Sequence, residues 1–171
     1  VTYLPVSNGC VIDVEALRNE LNGNKIFVSL MYQNNETGVI QQIKEAAQMG
    51  HDDNPDSIFH TDAVQAIGHA KIEVKDLGVD MLSASAHKFN GPKGVGFLYA
   101  RRGLDILPMI EGGGQEYGLR SGTENIASIF AMAKALQENV TTLDLTIQKQ
   151  KKLEQNFFTL LDADGIYYSI N

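Results

Sequence analysis

The chain has 171 residues, is 43% hydrophobic and 20% charged, and carries a formal charge of −7. That length supports one domain with a sizeable core or part of a larger one, and the acidic balance without a basic run argues against nucleic acid or an anionic membrane surface as a partner. No apolar run approaches the roughly 20 residues that span a bilayer, and the single cysteine, Cys10, excludes an internal disulfide and fits a reducing, cytoplasmic setting.

The segment 1–6 reads as a strand entered from an earlier segment, as in a piece of a longer protein. Asp13 is placed to cap a helix whose apolar face is Val14, Leu17 and Leu21, with Asn22-Gly23 as its stop. Residues 25–32 contain the apolar run of a buried strand, followed by a polar loop over 33–38 and a helix from Ile40 to about Met49. After a turn-rich stretch at 51–56, residues 57–60 form a second strand, ending at Thr61-Asp62 before a helical turn over 63–66. Residues 80–85 and 94–101 predict a third and a fourth strand. The short Gly/Pro turn between them makes that pair antiparallel, so the sheet is mixed, mostly parallel, and flanked by helices. Gly112 to Gly114 belong to a loop, and Ser121-Gly122-Thr123-Glu124 has the pattern of a capping box that opens a helix through Ala133. A separate helix is predicted over 142–161, with Leu153, Phe157, Leu160 and Leu161 facing inward, then a strand beginning at Ile166 and running to Asn171.

The polar residues collect at the strand ends. Asn35 follows the first strand, Asp62 ends the second, and Ser85, His87 and Lys88 follow the third. In open α/β sheets, ligands bind outside the carboxyl ends of the strands, so three ends can converge on one crevice. Singly, each residue is ordinary: a surface lysine, a capping aspartate, a turn asparagine, a solvated glutamine. His51, His60 and His69 are read as surface or hydrogen-bonded histidines, and no spacing resembles a metal site. Together they suit a pyridoxal cofactor. Lys88 offers a Schiff-base amine, Asp62 a carboxylate for the pyridinium nitrogen, and Asn35 and Gln65 hydrogen bonds to the ring oxygen. Ser85, His87 and the turn after Lys88 offer donors to a phosphate.

The strings Asn34-Asn35-Glu36-Thr37-Gly38, 60–69 (HTDAVQAIGH), 83–96 (SASAHKFNGPKGVG), Gly112-Gly113-Gly114-Gln115-Glu116 and 120–125 (RSGTEN) closely resemble, in order and spacing, the cysteine desulfurases dependent on pyridoxal 5'-phosphate, members of the class-V aminotransferase family. The resemblance implies the type I fold of pyridoxal-phosphate-dependent transferases and a homodimer. Carried over by position, it makes Lys88 the cofactor-bearing catalytic lysine and Asp62 the partner of the ring nitrogen. It gives Asn35 and Gln65 to the ring oxygen, Ser85 and His87 to the phosphate, and Thr123 to the phosphate held by the other subunit. Arg120 supports this loop or the dimer contact. The implied reaction converts L-cysteine to L-alanine and leaves the sulfur as an enzyme persulfide for iron–sulfur scaffold or other sulfur-acceptor proteins.

Members of this family are more than twice as long. Residues 1–171 correspond to an incomplete cofactor-binding large domain, with residues from about 140 onward leading toward a small domain. The phosphate loop and ring-stacking histidine of the family's N-terminal part, and the carboxylate-binding arginine and sulfur-accepting cysteine of its C-terminal part, have no counterpart here. Cys10 is not in the position of that cysteine and reads as a small, partly buried thiol. Selenocysteine lyase, another class-V aminotransferase or lyase, and a non-catalytic module that keeps the pyridoxal site remain open alternatives.

Overall fold

The computed structural model describes residues 1–170. Its centre is a four-stranded sheet in the order β1 (Phe27–Met31), β2 (Ile58–Asp62), β3 (Met81–Ser85), β4 (Gly96–Ala100). β1, β2 and β3 run parallel, and β4 is antiparallel to β3, so the mixed, mostly parallel sheet expected from the sequence is present. Strand pairing aligns Met31 with Asp62 and Asp62 with Ser83, which brings the carboxyl ends of three strands to one edge.

Six helical elements accompany the sheet among the described residues: α1 (Val14–Glu20), α2 (Ile43–Asp53), α3 (Val74–Leu77), 3-10 turns at Ala86–Phe89 and Glu116–Gly118, and α4 (Ile126–Ala163). Asp13 caps α1 as its sequence indicates, its Oδ1 accepting from the Ala16 N–H at 3.0 Å. α2 starts at Ile43 because Ile40 is engaged in an antiparallel bridge with Gln33. It continues past Met49 to Asp53, so the predicted loop at 51–56 begins later than expected.

Strand alternation divides the side chains between two faces. One face carries Val28, Phe59, Thr61, Leu82 and Ala84, all buried, and α2 lies over it, bringing Gly50 against the Phe59 ring. Phe59, Leu82 and Phe89 are at most 1% exposed, and burying each such side chain contributes roughly 1.5–3 kcal/mol. The other face carries His60, Asp62, Ser83 and Ser85, and its margins are open: Phe27 is 61% and Leu98 51% exposed. No helix is long and apolar enough to cross a membrane among the described residues.

Five expectations are corrected. The two predicted C-terminal helices are one helix of 38 residues. Thr141 and Thr142, at the expected start of the second helix, bond their hydroxyls to the carbonyls of Gln137 and Glu138 within the helix, at 2.8 and 2.9 Å. The cap of α4 is Asn125, whose Oδ1 accepts from the Ser128 N–H, and not the box at Ser121. Ser121 is buried and accepts from the Gly114 N–H, so its hydroxyl closes the glycine loop instead. Leu153, Phe157 and Leu160 do not face inward but are exposed, since the C-terminal half of α4 runs clear of the sheet. Residues 166–170 form no strand, and Asn171, the end of the strand expected there, lies outside the described residues. At the N-terminus only Val6 pairs, in an isolated bridge with Ile12.

Candidate functional site

β2 and β3 deliver the chemistry. Asp62 is the last residue of β2 and stands opposite Ser83, while Ser85 is two residues further along the same face of β3. The Asp62 carboxylate is fixed at its base by the Val64 N–H, which donates to Oδ1 at 2.9 Å, and its own carbonyl accepts from the Tyr32 N–H at the end of β1. The chain then leaves β3 directly into the 3-10 turn that carries His87 and Lys88. Asn90, at φ +66°, and the hydrogen bond from the Gly91 N–H to the Ala86 carbonyl close that turn. Ala86 and Phe89 are fully buried, so the turn is anchored at both ends while Lys88 between them stays half-buried.

Ser85 Oγ and His87 Nδ1 are 2.8 Å apart. Lys88 enters a side-chain contact only through its carbonyl, 2.7 Å from His69 Nε2, which leaves its amine without a hydrogen-bond or ion-pair partner among the described residues. A half-buried amine without a partner, a carboxylate at the adjacent strand end and a hydroxyl–imidazole pair fit a planar, aldehyde-bearing, anionic ligand. Those are the demands of the pyridoxal 5'-phosphate that the resemblance implies.

The remaining expected residues lie around this group. Asn35 is exposed on the loop after β1, next to Asn34, whose Oδ1 accepts from the N–H groups of Glu36 and Thr37 and so sets the loop's shape. Gln65 is half-buried on the turn after Asp62. Thr123 is exposed, ahead of α4, and hydrogen-bonds to none of the others among the described residues. Its loop is drawn shut by Gln115, whose Oε1 accepts from the Gly122 N–H at 2.9 Å.

Residues that the sequence marks as ordinary lie around the site too. His60 spans three strands on the open face, with Ser29 Oγ 2.8 Å from Nδ1 and Ser83 Oγ 3.2 Å from Nε2. The Phe27 ring stacks on it. Burial holds the His60 pKa below its ordinary value, against the opposing pull of the Asp62 charge. Cys10 sits in the turn before α1, partly buried as expected, where Gln41 Nε2 donates to its carbonyl.

Residues 1–167 match the family model of the class-V aminotransferases. A cysteine desulfurase IscS from Dictyoglomus turgidum is 45% identical over 157 residues, which are 92% of this chain and 39% of that protein. A cysteine desulfurase IscS from Clostridium botulinum strain Hall is 51% identical over 137 residues, 80% of this chain and 34% of that protein. Among solved structures, a NifS-like protein superposes with a TM-score of 0.89 at 41% identity, over 95% of this chain and 45% of that one. SspA in complex with cysteine superposes with a TM-score of 0.73 at 35% identity, over 80% of this chain and 39% of that one. The chain therefore spans well under half the length of the curated relatives it matches.

Proposed function

The chain belongs to the class-V aminotransferase family, and from that premise we propose that it is the cofactor-binding part of a cysteine desulfurase that takes sulfur from L-cysteine, leaving L-alanine. The observation that carries this reading is the juxtaposition of Asp62 with the Ser85–His87–Lys88 run at the ends of two neighbouring parallel strands. Its relatives named cysteine desulfurase and the solved complex of SspA with cysteine support the substrate.

Pyridoxal 5'-phosphate, once bound, supplies an electron sink for the bonds at the cysteine Cα. Lys88 would hold it through Nζ, and its amine would move the proton at the substrate Cα. Asp62 keeps a proton on the ring nitrogen. Asn35 and Gln65 bind the ring oxygen, and Ser85 and His87 donate to the phosphate. Thr123 of one subunit reaches the phosphate held by the other, which makes the working unit a homodimer. Residues 1–171 form part of the large domain, and α4 beyond about residue 140, with Leu145 and Phe157 exposed, leads toward a small domain. The thiol that receives the sulfur as a persulfide, and the arginine that holds the substrate carboxylate, lie in the remainder of the full-length protein. The persulfide passes to an iron–sulfur scaffold or another acceptor, in a reducing, cytoplasmic setting that keeps the thiol available.

The test is direct. Pyridoxal 5'-phosphate added to the full-length protein produces an absorbance band at the visible edge, and Lys88→Ala abolishes it together with alanine formation from cysteine. A band that survives in Lys88→Ala sinks the assignment of the lysine. A Lys88-dependent band without any alanine or sulfide from cysteine sinks the reaction.

A further inference from the structure

We propose that His69 and Asn139 are positioning residues that clamp the two consecutive carbonyls of the Lys88 turn and so aim the Lys88 amine, a role that rests on the reading of Lys88 as the cofactor-bearing lysine. The 3-10 turn is only four residues long, so the carbonyls at its end have no partner within it. The Ala86 carbonyl accepts from the backbone N–H groups of Asn90 and Gly91. Side chains from elsewhere serve the carbonyls of Lys88 and Phe89. His69 Nε2 lies 2.7 Å from the Lys88 carbonyl oxygen, and Asn139 Nδ2 donates to the Phe89 carbonyl at 2.8 Å. One clamp comes from the loop after β2, the other from α4, so the lysine's backbone is gripped from two sides.

The sequence is built to bring both clamps in. Gly68, at φ +82°, lies so close to Phe89 that a Cβ would stand 2.7 Å from the Phe89 Cβ. Only glycine permits that approach, and it is this approach that carries His69 over the Lys88 carbonyl. Asn139 is itself fixed, with its Nδ2 shared with the Ala135 carbonyl of its own helix and its Oδ1 accepting from Asn90 Nδ2 at 3.4 Å. A carbonyl only accepts, so His69 Nε2 must carry the hydrogen. The neutral Nε2–H tautomer and the imidazolium both meet that demand.

The full-length protein, His69→Leu, His69→Gln and Asn139→Leu are titrated with pyridoxal 5'-phosphate, reading the visible band that depends on Lys88. His69→Leu is expected to weaken cofactor affinity about fivefold, the worth of one ordinary hydrogen bond. His69→Gln, which retains an N–H donor, recovers affinity to within about twofold of the unsubstituted protein. Circular dichroism stays unchanged in both, because the His69 ring is exposed. Asn139→Leu is expected to weaken affinity by a similar factor, and the His69 pair decides the matter if this half-buried replacement perturbs folding. Unsubstituted affinity in His69→Leu overturns the clamp while leaving Lys88 as the cofactor lysine. A loss in His69→Gln as large as in His69→Leu likewise overturns it. Absence of a Lys88-dependent band in the unsubstituted protein overturns both readings.

Discussion

Ser85 Oγ lies 2.8 Å from His87 Nδ1, so the end of β3 presents a hydroxyl and an imidazole as one hydrogen-bonded unit. Whichever group donates within the pair, a donor remains free. If the hydroxyl donates to Nδ1, the neutral ring keeps its Nε2–H. If Nδ1–H donates to the oxygen, the hydroxyl hydrogen is free. The pair is therefore a standing anion donor. Ser85→Ala and His87→Ala are each expected to weaken binding of pyridoxal 5'-phosphate about ten- to hundredfold, the worth of a hydrogen bond to a charged group. Pyridoxal, which lacks the phosphate, should lose little. Equal losses for the two ligands in an absorbance titration would remove the phosphate role.

Gly96 stands opposite Ser85 in the β3–β4 pair. A Cβ there would come within 2.4 Å of the Ala84 carbonyl oxygen, a backbone atom that cannot swing aside. Gly96→Ala must push β4 away from the strand end that carries Ser85. A loss of about 1–3 kcal/mol in denaturant unfolding is expected, the usual range for overpacking. Weaker cofactor binding should accompany it. Unchanged stability would mean that the strands part at no cost, and the close approach would then not be what selects glycine.

The strand ends were legible because short apolar runs break abruptly into polar residues, as at Asp62 and Ser85, and because the turn after Lys88 is too short for a parallel return. The continuity of α4 was less so. Residues 126–163 contain neither glycine nor proline, yet the sequence predicts one helix through Ala133 and another from 142, where Thr141 and Thr142 bond their hydroxyls back to one continuous helix. The Ser121 box misleads in the same way. Its spacing suits a cap, but the hydroxyl is drawn to the Gly114 N–H seven residues earlier. The contact of His69 with the Lys88 carbonyl crosses 19 residues, and no local pattern encodes it. What periodicity and punctuation can express was readable; contacts between side chains and a distant backbone were not.

Asp80 shows how far such contacts reach. It sits at the opposite end of β3 from Lys88 and is 1% exposed. Its carboxylate accepts from the Phe59 N–H at 2.8 Å, from Arg101 Nε at 2.6 Å and from His51 Nε2 at 2.8 Å, joining β2, the residue after β4 and α2. Burial pushes its pKa up, but these donors outweigh burial and hold it below the ordinary carboxylate range. The sign follows. As pH falls through the unfolded value of about 4, the unfolded chain takes up the proton before the folded one does. The contribution of Asp80 is therefore complete above that value and is lost as pH falls further, toward the folded pKa. Asp80→Asn should cost about 2–3 kcal/mol near neutral pH, below the usual figure for breaking a buried pair because the Arg101 side chain is 52% exposed and can be rehydrated. Urea unfolding of the two proteins from neutral pH down to about pH 3 checks this. The gap between them should narrow below about pH 4. A gap of constant width would mean that the network holds Asp80 by shape and not by charge.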